Sequence, residues 1–192
     1  MKAPNKQLES PLRGWDNSYA VAPQHGRWGA HQHGNFMNAG TLSGPGISIP
    51  PPVIYVAALI VGVVLNFIWP LSPFSNISRY VIGLVLILVS LLIMPPVLRR
   101  FRRASTSFDV RKAASALITD GPYRFSRNPA YVSLTLLYLG IGVLLNNGWS
   151  LVLVVPIFLV MDLWVVRREE RHLEAKFGEE YLHYKAAVRR WL

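Results

Sequence analysis

Long apolar runs constrain this chain more than any other feature of its sequence. There are four of them, at about residues 53–69, 80–97, 131–145 and 149–166. Their lengths approach the roughly 20 apolar residues that a helix needs to cross a bilayer core. Because a spanning segment must satisfy its backbone hydrogen bonds internally, each run is predicted to be a helix. The predicted fold is therefore all-α, a multi-pass transmembrane helical bundle of about four spans.

The distribution of lysine and arginine predicts how these helices are oriented. The chain has 20 basic residues of these two types against 10 acidic ones, a net charge of +10. Four precede the first run, eight lie between the second and third, seven follow the fourth, and the other two connections hold Arg79 alone. By the positive-inside rule, both termini and the middle loop are expected to be cytoplasmic. Since the charges flank predicted spans and no soluble domain is left for nucleic acid, no nucleic-acid partner is expected.

Residues 1–46 differ in composition from the rest of the chain. They are rich in Gly, Asn, Gln, Pro and His and have no apolar periodicity, which predicts a disordered cytoplasmic tail ahead of a membrane domain at 47–192. They also lack the apolar core of a signal peptide. His25, His31 and His33 have no carboxylate or cysteine partners, so we place no metal site there. The chain has no cysteine, and thiol chemistry is excluded.

Two charged segments accompany the predicted spans. Residues 98–120 are basic and mixed, which favours an interfacial segment against anionic headgroups, with a lid over a site as the alternative. Just before them, Pro95 and Pro96 are expected to kink or stop the second span. After Val166, apolar and aromatic residues recur at intervals of three or four, which predicts a cytoplasmic C-terminal amphipathic helix that bends at Gly178.

Charges of opposite sign are predicted to meet at one depth of the bundle. Arg124 and Arg127 lie just before the third span, and Glu169 and Glu170 just after the fourth. A pocket with both signs would suit a zwitterionic ligand; the alternative is ordinary headgroup-facing or mutually paired charges, each pair worth little at a surface. Asp162 is the acidic residue inside a span, where we expect a functional role, a basic partner at the exit of the second span, or snorkelling.

Two segments carry a family resemblance. "GPYRFSRNPAY" at 121–131 and "RREERHLEAKFGEEYLHYKAAVRRWL" at 167–192 resemble the isoprenylcysteine carboxyl methyltransferase and phospholipid methyltransferase superfamily, and the resemblance covers about residues 50–192. That superfamily has an Arg-His-Pro-x-Tyr or Asn-Pro-x-Tyr motif and a downstream Glu-Glu pair. Asn128 gives this chain the Asn-Pro-x-Tyr form of the phospholipid branch, although the Gly-x-Gly cofactor signature of that branch is missing between residue 50, where the resemblance begins, and the motif.

The resemblance implies an integral membrane enzyme that transfers a methyl group from S-adenosylmethionine to a lipophilic acceptor, such as an isoprenylcysteine carboxylate or a phospholipid amine. In the superfamily the motif and the Glu-Glu pair bind the cofactor. Together with two neighbours in the same loop, the predicted cofactor-binding residues are Tyr123, Arg124, Arg127, Asn128, Pro129, Tyr131, Glu169 and Glu170. We expect Arg127 to hold the cofactor carboxylate, Glu170 the ammonium group, and Glu169 to orient or supplement it, and these three are the predicted catalytic residues.

The acceptor and two rival functions stay open at this point. An ionised carboxylate acceptor needs no base, whereas an amine must lose a proton, for which Glu169 or His172 is nearest. The rivals are a membrane steroid-reductase-like NADPH enzyme, which shares a comparable C-terminal half, and a non-catalytic membrane protein of the same fold. The Glu-Glu pair fits an ammonium better than a 2′-phosphate and so favours the methyltransferase. The lack of cysteine and the short core predict a prokaryotic cell membrane.

Overall fold

Helices make up the regular structure of the part of the chain that the computed structural model describes, residues 45–46, 49–104 and 114–192. The α-helices in these ranges are α1 (Pro51–Ile68), α2 (Asn76–Arg103), α3 (Pro129–Leu144), α4 (Gly148–Val160), α5 (Arg167–Phe177) and α6 (Glu179–Ala187). A 3-10 turn, Gly121–Arg124, precedes α3, and a π-helical turn, Met161–Val166, joins α4 to α5. The predicted all-α class is confirmed. The predicted tail and its three histidines lie outside the described residues, except for 45 and 46.

Three helical stretches in the described ranges are long and apolar enough to cross a membrane: Pro51–Ile68, Ile77–Arg103 and Gly148–Phe177. The remaining predicted span is α3, which is apolar but has only 16 residues. Large apolar side chains project outward from the long helices; Leu92, for example, is 74% exposed. A surface of this kind is stable against lipid, and the chain is an integral membrane protein. The count of four spans stays a prediction.

The second helix is longer than the sequence predicts. Pro95 and Pro96 were expected to kink or stop it; they do not stop it, because α2 continues through both to Arg103, and a kink stays a prediction. Ending a helix at membrane depth would leave several backbone groups without partners, which costs more than the bonds that two prolines remove. Val97 directly follows them and is fully buried, so packing holds this turn in place. The first part of the predicted interfacial segment is therefore helix, and 105–113 lie outside the described residues.

Two helical hairpins are joined at their loops. Asn146, at φ 52°, accepts a hydrogen bond from the Phe74 amide at 3.0 Å and donates one to the Phe74 carbonyl at 3.2 Å. Next to it, the Asn147 side chain accepts from the Trp149 amide at 3.1 Å and begins α4. The polar "NNG" sequence thus turns the chain and ties the α3–α4 loop to the α1–α2 loop.

Small residues let the helices approach closely. A Cβ added to Gly140 of α3 would lie 3.0 Å from the Gly83 carbonyl oxygen of α2, so the two backbones are in contact there. Further along the same pair, Ser90 donates a hydrogen bond to the Ser133 carbonyl oxygen at 2.8 Å, and Ser133 donates one to the Ser90 carbonyl oxygen at 3.0 Å. Close approach and buried serine pairs are the usual means of helix association in a membrane. They fix α3, which leads into the loop described below.

Substitution of Gly142 by alanine is expected to destabilise the bundle. The new Cβ would lie 2.4 Å from the Ser150 Cβ, which is attached directly to the α4 backbone and cannot rotate away. Overpacking of this kind costs about 1–3 kcal/mol. Gly62→Ala is the matched control, because its Cβ would meet the same serine only at the Oγ, at 3.3 Å. Thermal unfolding in detergent should show a lower midpoint for Gly142→Ala than for Gly62→Ala; equal midpoints would contradict this packing.

The C-terminal segment is two helices rather than one. Gly178 has φ 53° and separates α5 from α6, as the sequence predicts. After α6 the backbone becomes extended at Val188. We call residues 188–192 the C-terminal strap. It returns to the membrane domain, where the Trp191 ring packs on Phe158 of α4 with ring centroids 4.9 Å apart. The strap therefore lies against the end of the bundle that carries the charged residues.

Candidate functional site

The segment that carries Arg124 and Arg127 lies between the end of α2 and the start of α3, and we call its residues 120–128 the arginine loop. Gly121, with φ 62°, begins the 3-10 turn, and Arg100 of α2 forms an ion pair with Asp120 beside it. Pro129 is the first residue of α3, where its missing N–H costs nothing. Asn128 precedes it, but its side chain does not cap the helix; Nδ2 donates instead to the Arg190 carbonyl oxygen at 2.9 Å. The loop is thus held by the strap as well as by α3.

The two adjacent glutamates of α5 have different partners. The Glu170 carboxylate is buried and paired twice with Arg190, from Nε to Oε1 at 3.0 Å and from Nη2 to Oε2 at 2.8 Å. Its Oε1 is also 3.2 Å from Arg127 Nη1. Glu169 instead accepts a hydrogen bond from the Tyr131 hydroxyl at 2.8 Å. Within the described residues Glu169 has no ion pair, so its carboxylate is available to a ligand.

These groups line one cleft. The cleft contains Arg127, Asn128, Glu169 and Glu170 as its charged and amide side chains and three tyrosines, and its apolar residues come from α2, α5 and the segment that leads to the 3-10 turn. The lining residues are Phe101, Ala114, Ala116, Leu117, Ile118, Tyr123, Arg127, Asn128, Glu169, Glu170, Leu173, Tyr181 and Tyr184. A mostly apolar cleft with a few polar groups at one place is typical of a small-molecule site.

Arg127 is the least satisfied group in the cleft. Its side chain is only 10% exposed, yet neither Nε nor Nη1 makes a hydrogen bond of good geometry to the described residues. The ion pair with Glu170 partly balances the charge of Arg127, but in the described structure Nε and Nη1 still have no hydrogen-bond acceptor of good geometry. Buried donors without a partner are costly. A carboxylate ligand in the cleft would supply the missing acceptors.

The tyrosines of the cleft are neutral groups at physiological pH. Burial raises the pKa of Tyr181 to about 12, with a further contribution from the charge of Glu170. Burial, followed by the charge of Glu169, also raises the pKa of Tyr123, and burial raises that of Tyr184. Tyr184 donates its hydroxyl proton to the Tyr123 carbonyl oxygen at 2.8 Å. These residues can therefore supply aromatic faces and hydroxyl donors, but they cannot act as bases.

The structure brings most of the predicted site residues together. Five of the eight line the cleft directly, namely Tyr123, Arg127, Asn128, Glu169 and Glu170. Tyr131 lies behind it and contacts Glu169, while Pro129 is the first residue of α3. Arg124 is exposed and makes no ion pair with the described residues. The ligand roles assigned to these residues stay predictions, because placement alone does not test them.

The sequence did not predict the contribution of the C-terminal strap. Arg190 pairs with Glu170 and also reaches Asp162 Oδ1, at 3.3 Å from Nη1; Trp191 Nε1 donates to the same oxygen at 3.0 Å. Arg167 Nε lies 3.5 Å from the other Asp162 oxygen. Among the described residues the basic partners of Asp162 are therefore Arg190 and Arg167, so the alternative of a partner at the exit of the second span was wrong. The sequence offers only a weak signal for this contact. Residues 189–191 are two arginines and a tryptophan, and the fourth apolar run contains one carboxylate that needs a partner.

Comparison with known proteins gives two matches. A model of the family described as phospholipid methyltransferase matches residues 78–180, more than half of the chain. A curated protein of Haemophilus influenzae, named only as uncharacterized, is 44% identical over 62 residues, which are 32% of this chain and 98% of that protein. No solved structure matches. The range matched by the family model contains the arginine loop and both glutamates, and it ends before the strap.

Proposed function

Because the chain belongs to the phospholipid methyltransferase family, we propose that it transfers a methyl group from S-adenosylmethionine to a lipophilic acceptor in the membrane. The observation that carries this proposal is that the cleft contains both a cationic and an anionic side chain with unused binding capacity. Arg127 has buried donors without acceptors, and Glu169 has a carboxylate without an ion pair. A ligand with both a carboxylate and an ammonium group, such as the methionine part of the cofactor, fits this arrangement.

Each charged residue of the cleft has a separate role in the proposed binding of the cofactor. Arg127 binds the carboxylate, because its planar fork suits two parallel hydrogen bonds. Glu169 accepts the ammonium group, whereas Glu170 keeps Arg127 and Arg190 in place. This reverses the roles that the sequence favoured for the two glutamates. Tyr123, Tyr181 and Tyr184 offer aromatic faces for a cationic sulfur.

When bound, S-adenosylmethionine supplies a methyl group that is attached to a positively charged sulfur, and the leaving group is the neutral thioether that contains this sulfur. The protein then has to align the acceptor nucleophile with the methyl group and exclude water. A carboxylate acceptor becomes a methyl ester and loses no proton. An amine must attack in its neutral form, and its proton must pass to a base. Within the described part of the cleft, Glu169 is the carboxylate without an arginine partner, so an amine would compete for it with the cofactor ammonium.

The membrane placement of the reaction follows from the fold and the charge pattern. The apolar outer faces of α1 and α2 support an acceptor that is dissolved in the bilayer. We assign the cleft and both termini to the cytoplasmic side, because the basic residues lie at that end of the helices. Residues 47–192 form the proposed methyltransferase domain. The Haemophilus relative supports a prokaryotic cell membrane as the location.

The test is a methyl-transfer assay with the purified full-length chain in liposomes. Tritium-labelled S-adenosylmethionine is supplied with a phospholipid amine in one set and with a prenylated cysteine or a fatty acid in another. Label that enters lipid and survives mild base is an N-methyl group, whereas label released by base as methanol is a methyl ester. Transfer in either set supports the function and identifies the acceptor class. No transfer in either, by protein that binds S-adenosylhomocysteine, would contradict these acceptors.

A further inference from the structure

The C-terminal strap is bonded through its backbone to residues 126–128, two of which line the cleft. The Arg127 amide donates to the Arg189 carbonyl oxygen at 2.9 Å, and the Asn128 side chain donates to the Arg190 carbonyl oxygen at 2.9 Å. The Ser126 hydroxyl donates to that same oxygen at 3.3 Å. Three consecutive loop residues are thus bonded to two consecutive residues of the strap. This fixes the position of Arg190 relative to the arginine loop.

The Arg190 side chain connects two carboxylates that belong to different segments. Its guanidinium forms the bidentate pair with Glu170 of α5 and reaches Asp162 in the π-helical turn. A hydrogen bond with Glu170, followed by the charges of Glu170 and Asp162, raises the pKa of Arg190 above its ordinary value. π-Helical turns are frequent at functional sites. Here the π-helical turn contributes the Asp162 carboxylate, which accepts a hydrogen bond from Nη1 of Arg190.

Counting charges shows what Arg190 does for its neighbours. Arg127, Glu170 and Arg190 together carry a net charge of +1, because one carboxylate is shared by two guanidinium groups. Without Arg190, the Glu170 carboxylate would cancel the charge of Arg127. An anionic group in the cleft would then meet a neutral pair instead of a cation. At the low effective dielectric of a partly buried site this difference is large.

We infer that Arg190 is a positioning residue: by neutralising Glu170 in a bidentate pair, it leaves the Arg127 guanidinium free to bind the carboxylate of a ligand. Arg190 is not among the residues that line the cleft. This inference rests on the proposed function, since it concerns the same cleft. It extends the site to residues beyond the range that the family model matches.

The experiment measures binding of S-adenosylhomocysteine to the full chain in detergent by calorimetry. Arg190→Gln removes the charge but keeps a hydrogen-bond donor for Glu170, and binding should weaken at least about tenfold. Arg190→Lys restores the charge and should bind within about threefold of the unchanged protein. The double variant Arg190→Gln with Glu170→Gln again leaves Arg127 as a single positive charge, and affinity should return. Arg171→Gln is the matched control, because Arg171 is exposed, outside the cleft and beside Glu170.

The outcomes separate this inference from the function on which it rests. If the unchanged protein does not bind S-adenosylhomocysteine, the proposed function fails. If it binds but Arg190→Gln behaves like Arg171→Gln, only the role of Arg190 is overturned. A double variant that binds more weakly than Arg190→Gln alone would also overturn it, since Glu170 would then be a ligand contact. If Arg190→Gln does not fold, the double variant is compared with the unchanged protein: equal affinity supports the role, and a tenfold loss contradicts it.

Discussion

Replacement of Arg127 by glutamine should weaken binding of S-adenosylhomocysteine by about 100-fold or more and remove methyl transfer to the same extent. The side chain is 10% exposed and has guanidinium donors without hydrogen-bond acceptors among the described residues. Two charge-assisted hydrogen bonds to a ligand carboxylate, at about 1.5–3 kcal/mol each, correspond to this loss. Glutamine keeps much of the volume but cannot present a charged fork.

The controls for this variant separate affinity from folding. Folding should be little affected, because Glu170 keeps its bidentate pair with Arg190. Arg171→Gln removes the same charge from an exposed position and should bind normally. Arg124→Gln tests the sequence prediction directly; since Arg124 is exposed, we expect a much smaller loss than for Arg127. Calorimetry measures the affinity of each variant for S-adenosylhomocysteine. Equal losses of affinity in Arg124→Gln and Arg127→Gln would contradict a specific role for the buried Arg127.

The two adjacent glutamates should respond to the same substitution in opposite ways. Glu169→Gln should weaken S-adenosylhomocysteine binding by about 10–100-fold with little change in melting temperature, because its carboxylate has no cationic partner in the described structure. Glu170→Gln should instead destabilise the fold by about 3 kcal/mol, since it leaves Arg127 buried and Arg190 without its main counter-charge. The folded fraction of Glu170→Gln should still bind the ligand.

Both readouts come from one set of proteins. Melting temperatures without ligand report the stability, and calorimetry below the melting temperature reports the affinity. The amide at either position is nearly the same size as the carboxylate, so packing is conserved and only the charge changes. If Glu170→Gln loses affinity while Glu169→Gln binds normally, the assignment favoured by the sequence is right and the division of roles proposed from the geometry is wrong.

The elements that could be predicted from the sequence are those fixed by local composition. Long apolar runs predicted the positions of α1, α2, α3 and α4, because a single segment in the bilayer core satisfies its backbone hydrogen bonds only as a helix. Gly178 separated α5 from α6 as expected, since a positive φ favours glycine. The prolines of α2 did not stop the helix, because their helix-breaking tendency is a local property that membrane and packing can override.

The parts that could not be predicted depend on register and on distant contacts. Glu169 and Glu170 are about 100° apart around α5, so their carboxylates meet different partners, and the π-helical turn at Met161–Val166 that precedes α5 sets this register. No local sequence signal marks that turn. The pairing of Arg190 with Glu170 and Asp162 joins residues 20 and 28 positions apart and requires the strap to fold back. The motif located the cleft, but tertiary structure decided which side chains are free in it.

The most direct test of the cleft is the thermal stability of the purified chain in detergent with S-adenosylhomocysteine, with NADPH and with neither. A ligand at about a hundred times its dissociation constant stabilises a folded protein by about 2.7 kcal/mol, which shifts the melting temperature by several degrees. We predict a shift with S-adenosylhomocysteine alone that is nearly lost in Arg127→Gln and reduced by half or more in Glu169→Gln. A shift with NADPH alone would contradict the methyltransferase in favour of a reductase, and no shift with either would leave a membrane protein without this cofactor function.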